Sequence, residues 1–350
     1  MSPANPIGPA TEIARAGFIV GPTGSGKSAL AIELASSLGA EIVNADSRLF
    51  YRGLDIGTAK PTAAERARVR HHLIDIRDPD EPLDIASFLV MARDVFAEVG
   101  SRGRRIIVVG GSGLYLRVLR HGICAAPPGA RDYRDRLRAL ADRGGIANLH
   151  DELATIDPAG AARIGRGDFV RIARALEVFH LTGIPLSEYQ ARDSQQRDLR
   201  DADPAAPARQ MVIGLAVDRP QLYESLDRRF DAMVSAGLVE EVRDLLARGY
   251  GPDRAPLATI GYRQIAEYID GRRALDDAIA IAKRETRRLA KRQLTWFRAE
   301  DDIVWLASEG AAPSALAMMA EFFASPATLD NGEPNGKERN GNGTDGISPT

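Results

Sequence analysis

Short apolar runs separated by amphipathic stretches mark the first third of the chain. Ala16-Gly17-Phe18-Ile19-Val20, Glu41-Ile42-Val43-Asn44-Ala45 and Arg105-Ile106-Ile107-Val108-Val109 each have the length and β-branched content of a buried strand. Residues 29–34 and 88–99 between them carry apolar positions at helical spacing. Alternation of this kind predicts a parallel α/β sheet whose strands all end at one ligand-facing edge.

After Ala125-Ala126-Pro127-Pro128-Gly129 the strand signal stops. Residues 131–143, 146–156 and 168–181 read as helices, and the polar stretch 191–209 reads as loop. Met211-Val212-Ile213-Gly214-Leu215-Ala216-Val217 returns as a strand rejoining the sheet, and helices resume from Pro220 through a long run at 275–298. The tail 325–350, rich in Gly, Asn, Pro and Glu, holds too little apolar surface to fold. The chain thus divides into an N-terminal extension (1–16), a core (17–126), a helical insertion (127–209), a return strand with C-terminal helices completing the core (210–324), and a disordered tail (325–350).

Between the first strand and helix lies Gly21-Pro22-Thr23-Gly24-Ser25-Gly26-Lys27-Ser28, a full Gly-x4-Gly-Lys-Ser phosphate loop in the required strand–loop–helix context. Its glycines let backbone N–H groups turn inward as an anion nest, which the helix dipole reinforces. Lys27 supplies a cation for the outer phosphate, and the Ser28 hydroxyl can ligand Mg²⁺. The motif alone points to ATP and gives the core a P-loop NTPase-like character. An acid is missing, however: the strand at 105–109 runs into Gly110-Gly111-Ser112-Gly113 rather than the residue that holds Mg²⁺ in motor-type NTPases.

Asp46, at the end of the second strand, reads three ways: Mg²⁺ ligand, general base or turn-forming residue. Gly53-Leu54-Asp55-Ile56-Gly57-Thr58-Ala59-Lys60-Pro61 is a glycine-punctuated loop with an embedded cation. His71 and His72 are adjacent on an extended segment and face opposite ways, which favours structural roles over shared metal ligation. In residues 283–298, Arg284, Arg287, Arg288, Lys291 and Arg292 recur at helical spacing, a stripe suited either to a phosphate backbone or to plain solvation. Arg163, Arg166, Arg171 and Arg174 form a second basic cluster.

Composition adds bounds. The formal net charge of −2 over 350 residues excludes a globally basic nucleic-acid coat but not a local patch. Cys124 is the single cysteine, so no intrachain disulfide or cysteine zinc site forms. The N-terminus lacks signal-peptide character and no run approaches a membrane span, so a cytoplasmic, membrane-free protein is expected.

The ordered series of segments closely resembles the tRNA dimethylallyltransferases. The resemblance rests on the phosphate loop at 21–28, Asp46-Ser47 with the segment 51–61, His71-His72-Leu73-Ile74-Asp75 and Gly110-Gly111-Ser112-Gly113-Leu114-Tyr115. It continues through Arg174-Ala175-Leu176-Glu177-Val178, Ile260-Gly261-Tyr262-Arg263 and residues 289–297. It implies that Gly21, Thr23, Gly24, Ser25, Gly26, Lys27 and Ser28 hold the diphosphate of dimethylallyl diphosphate with Mg²⁺. The prenyl group then passes to N6 of the adenosine 3′-adjacent to the anticodon, in tRNAs reading codons that begin with U.

By the same resemblance Asp46 is the general base, with Ser112 and Arg219 beside the reacting groups. Ser47, Arg48, Leu49, Arg134, Val170, Arg171, Arg174, Arg287, Arg288 and Lys291 match regions that grip the anticodon stem-loop. The expected assembly is a monomer. Three positions depart from the family pattern: Ser112 where Thr is usual, and Leu49 and Val170 where Gln is usual. The two missing amides put the recognised base context in question. Competing readings are prenylation of a free adenine nucleotide, a small-molecule kinase, and a non-catalytic RNA-binding descendant.

Overall fold

Six parallel strands form a single sheet: β1 (Ala16–Val20), β2 (Ala40–Asn44), β3 (His71–His72), β4 (Arg105–Gly110), β5 (Gln210–Ala216) and β6 (Val304–Ala307), in the order β3-β2-β4-β1-β5-β6. The computed structural model describes residues 15–201, 210–251 and 256–325. β1 is central, pairing Ala16 to Val20 with Ile106 to Gly110 on one side and with Gln210 to Gly214 on the other. Both faces of the sheet are covered, which is why its strands read as continuous apolar runs.

On one face lie α1 (Lys27–Leu38) and the last helix of the described chain, packed on Ile19, Ile42, Ile107 and Ile213. α2 (Ala63–Arg68) follows β2 and opens with a Thr62/Glu65 capping box. On the other face α3 (Ile85–Ser101) and α4 (Gly113–His121) bury Phe88, Leu89, Phe96 and Leu116 against Phe18, Val43 and Val108. Strand alternation explains the split, since Ile42 and Ile107 point one way and Val43 and Val108 the other.

The chain then leaves the sheet. α5 (Arg131–Gly144), α6 (Ile146–Ile156), α7 (Pro158–Ala161), α8 (Phe169–Thr182) and α9 (Leu186–Asp201) follow in succession. The first four of these enclose their own cluster around Leu137, Leu149, Leu153, Phe169, Ile172 and Leu176. Each such side chain contributes about 1.5–3 kcal/mol on full burial, so this bundle does not depend on the sheet for its core. Residues 191–201 are helical, where the sequence reads as loop. A helix polar on all sides shows no apolar stripe, and here the Glu188–Arg192 ion pair at i, i+4 supports it. Residues 202–209 and 326–350, the remainder of the expected loop and almost all of the expected tail, lie outside the described residues, as do residues 1–14.

After β5 come α10 (Arg219–Ser235), α11 (Leu238–Ala247), α12 (Tyr262–Ile269), α13 (Leu275–Phe297) and, beyond β6, α14 (Ala311–Ala324). α13 contacts α10, α12 and α4, which brings the C-terminal part of the chain back to the edge where the strands end. Among the described residues, no helix is long and apolar enough to cross a membrane.

Candidate active site

The phosphate loop leaves β1 at Val20 and closes on itself, with Ser25 N–H and Lys27 Nζ both donating to the Pro22 carbonyl at 3.2 Å. Gly24 and Gly26 have φ of 80° and 85°, a left-handed conformation that a side chain would strain. At Gly24 a Cβ would also meet Leu226 of α10 at 2.7 Å, so the loop seats directly on that helix. Ser25 Oγ is buried without a hydrogen-bond partner. An unsatisfied hydroxyl inside an anion nest fits a site built for more acceptors than the protein itself supplies. Lys27 is 9% exposed, and burial lowers its pKa to about 8; Asp46 pulls it upward and Arg229 pulls it down.

The end of β2 forms the facing wall. Asn44 Nδ2 donates to the carbonyls of Asp46 and Leu73, while its Oδ1 accepts from Asp46 N–H. Asp46 Oδ1 in turn accepts from Arg48 N–H at 3.0 Å. The carboxylate therefore shapes its own turn, and it is also felt by Lys27 and Arg229. Ser112, at the mouth of α4, accepts from Ser47 N–H at 3.4 Å, which sets its hydroxyl next to the Asp46 turn. A Cβ on Gly110 would lie 2.5 Å from the Ala45 carbonyl, so only glycine lets these two strand ends close up.

The C-terminal helices complete the enclosure. Gln293 of α13 accepts from Thr23 N–H and donates to the Gly111 carbonyl, both at 2.8 Å. One turn on, Trp296 packs against Gly113, with Arg117 stacked 4.9 Å above its ring. Arg229 of α10 is half-buried; burial lowers its pKa and the charge of Asp46 opposes that shift. Arg219 is exposed in the first turn of α10, 5.9 Å over the Tyr223 ring. The sequence reading missed Arg229 and gave Gln293 no role. A signal for Arg229 exists, because Leu222, Leu226 and Phe230 form the buried stripe of α10 and Arg229 borders it.

The loop 51–61 is fixed from two sides. Lys60 is buried and donates to the Tyr51 carbonyl, Asp55 and Asp75, so the embedded cation is consumed internally. Burial opposes ionisation of Asp75, but Lys60 and Arg66 together hold its carboxyl below the usual range. Glu241 accepts from the backbone N–H groups of Asp55, Ile56 and Gly57 and from the Tyr262 hydroxyl. His72 pairs with Glu41, and His71 Nδ1 bonds to the Val69 carbonyl. No cluster of three or more His, Cys, Asp or Glu suited to a metal occurs among the described residues.

Leu49 is half-buried and, with Ser28, Asn44, Pro61, His71 and Ile74, lines a small cleft open to solvent. Arg134, Val170, Arg171 and Arg174 sit on α5 and α8; Val170 is 72% exposed. Arg171 approaches Asp168 at 3.5 Å, whereas Arg134 and Arg174 share Glu177. On α13, Lys283 and Arg287 pair with Asp231 and Asp227 of α10. The exposed stripe is thus Arg284, Arg288, Lys291 and Arg292, without Arg287. Phosphate loop, Asp46, Ser112 and Arg229 form one group at the strand ends; Arg134, Arg171 and Arg174 lie on the insertion, and Arg284, Arg288, Lys291 and Arg292 on the outer face of α13.

The sequence profile of the IPP transferase family matches residues 49–300. A tRNA dimethylallyltransferase of Syntrophobacter fumaroxidans is 50% identical over 288 residues, 82% of each chain. One of Geobacter metallireducens is 46% identical over 312 residues, 89% of this chain and 98% of its own. The crystal structure of the tRNA isopentenylpyrophosphate transferase of Bacillus halodurans superposes with a TM-score of 0.64 at 36% identity, covering 88% of this chain and 96% of its own. With its phosphate loop set on a parallel sheet and this likeness running through both sheet and insertion, the chain belongs to the tRNA dimethylallyltransferase family of prenyl-transferring enzymes.

Proposed function

We propose that this chain transfers the dimethylallyl group of dimethylallyl diphosphate to N6 of the adenosine 3′-adjacent to the anticodon, in tRNAs reading codons that begin with U. The observation that carries the reading is the grouping of Lys27, Arg229 and Asp46 around the phosphate loop, where β4 ends in Gly110-Gly111 and supplies no acid to steer a hydrolytic water. Two cations and a nest suit a departing diphosphate. One carboxylate suits the proton of the attacking amine.

In this mechanism the N6 lone pair attacks C1 of the donor, the C1–O bond breaks with its electron pair going to the diphosphate, and the N6 proton passes to Asp46. Lys27, Arg229 and the loop N–H groups stabilise the charge that develops on the leaving group. Arg229 takes the part that the resemblance alone assigns to Arg219. Ser28, exposed at the start of α1, would hold a Mg²⁺ ion through its hydroxyl beside the diphosphate, since this ion needs few protein oxygens. Bound there, it would further offset the diphosphate charge. The acceptor base must leave its stack to reach the strand ends. The enzyme acts as a single chain in the cytoplasm, where its tRNA substrate is found.

Incubation with Mg²⁺, labelled dimethylallyl diphosphate and unmodified tRNA should label adenosine in the anticodon loop. No label above a Lys27→Ala control refutes the reading. Labelling of free AMP in preference to tRNA moves the acceptor to a nucleotide.

A further inference from the structure

Glu177 lies in α8 and is 0% exposed, yet the proposed chemistry gives it no part. Its Oε2 accepts from Arg134 Nη2 of α5 at 2.7 Å and from Arg174 Nη1 at 3.2 Å. The other arm of Arg174 donates to the Pro127 carbonyl at 2.6 Å, within the segment that crosses from α4 into the insertion. That segment presses on the carboxylate: a Cβ on Gly129 would lie 2.8 Å from both Glu177 Oε1 and Arg134 Nη2. Oε1 is itself buried and accepts no hydrogen bond.

A buried carboxylate needs one well-placed cation, and here it has two. The surplus positive charge stays at the crossing. Both side chains stay partly in solvent, Arg134 50% and Arg174 31% exposed. A planar guanidinium held from behind by a carboxylate offers its remaining N–H groups in a fixed direction, the geometry that suits a phosphate oxygen.

We propose that Glu177 is a positioning residue for RNA: it orients Arg134 and Arg174 as a paired cationic edge at the entrance to the insertion, and a tRNA backbone phosphate is the ligand of that edge. The inference rests on the tRNA reading above. Without the carboxylate, two like charges are left side by side and swing apart into water, so each must be reordered when RNA binds. Glutamine at 177 keeps the shape and one acceptor, and holds the pair in part.

The test measures binding of unmodified tRNA without donor first, then KM for tRNA and for dimethylallyl diphosphate, and thermal unfolding. Glu177→Ala should weaken tRNA binding and raise the tRNA KM by about tenfold, leaving the donor KM within about twofold. Glu177→Gln should recover part of that loss. In an Arg134→Ala background, Glu177→Ala should add less than about twofold, because the two act as one unit. An unchanged tRNA KM with only a lowered Tm, an equal rise in both KM values, or independent effects of the two substitutions would each overturn the proposal. If Glu177→Ala does not fold, Glu177→Gln combined with Arg134→Ala decides by the same criterion. Wild-type chain that binds tRNA but transfers no prenyl group refutes the proposed chemistry and leaves this inference to be judged by binding alone.

Discussion

The side chain of Gln293 accepts a hydrogen bond from the backbone N–H of Thr23 across 270 positions of sequence, and its amide nitrogen donates to the Gly111 carbonyl. One residue of α13 thereby ties the phosphate loop to the end of β4. Gln293→Ala leaves a donor and an acceptor without partners, a loss of roughly 1–3 kcal/mol. Gln293→Glu keeps the acceptor for Thr23, loses the donor for Gly111 and sets a negative charge beside the diphosphate. Donor KM should therefore rise in both variants and rise more in Gln293→Glu; the reverse order would mean that Gln293 has no bearing on the donor site.

Lys27 predicts opposite pH trends for binding and stability. With its pKa lowered to about 8, the free enzyme loses this cation as pH rises past 8, so kcat/KM for the donor should fall there. A bound diphosphate restores the charge, so kcat should stay level over the same range. For folding the sign reverses: between about 8 and the unfolded value of 10.5 the unfolded chain binds more protons, and Lys27 makes stability rise with pH. A pH series of initial rates alongside denaturant unfolding reads both trends.

Asp46→Ala should lower kcat by about 10²–10⁴ while tRNA affinity changes little. Single-turnover rates with saturating donor measure this directly, and an unaltered rate removes Asp46 from the role of base.

Arg229 and Arg219 lie on one helix but in different surroundings. Arg229→Ala should cost about tenfold or more in kcat/KM for the donor, as expected for a cation in a partly buried site. Arg219→Ala, at an exposed position, should stay within about twofold. Parallel steady-state assays of the two variants separate them, and equal losses would contradict the placement of Arg229.

The two cationic faces of α13 should respond differently to charge reversal. Arg288→Glu and Lys291→Glu, on the exposed face, should weaken tRNA binding and flatten its salt dependence by roughly one unit of slope for each phosphate no longer neutralised. Arg287→Glu opposes Asp227 instead and should lower stability by roughly 1–2 kcal/mol, between the exposed and buried limits for ion pairs. Salt titrations and thermal melts distinguish the two outcomes.

The parts of this fold that were legible in the sequence are those whose signal is local. β1, β2, β4 and β5 are unbroken apolar runs, and the phosphate loop declares itself through glycine spacing. β3 and β6, of two and four residues, carry too few positions to show a period. Among the described side chains of α9, 186–195, none is buried deeply enough to impose one. Asp46 stood out by its place at a strand end, but the cation that faces it did not. Arg219 and Arg229 each follow an acidic or basic neighbour in a helical context, and only tertiary packing of the Leu226–Phe230 stripe decides which one turns toward the phosphate loop. Lys60 shows in the sequence only as a cation embedded in a loop, and the three oxygens that surround it become visible only in the fold.

The Thr23–Gln293 bond also bears on how the protein is made. β1 and the phosphate loop leave the ribosome well before β5 and α13, and among the described residues the sheet has no antiparallel hairpin with which to start early. A chain still in synthesis can fold its helical insertion well before its catalytic edge exists. Activity should therefore emerge only once α13 has been made, and a product truncated before residue 293 would keep the full phosphate-loop motif yet lack the bond that holds it shut.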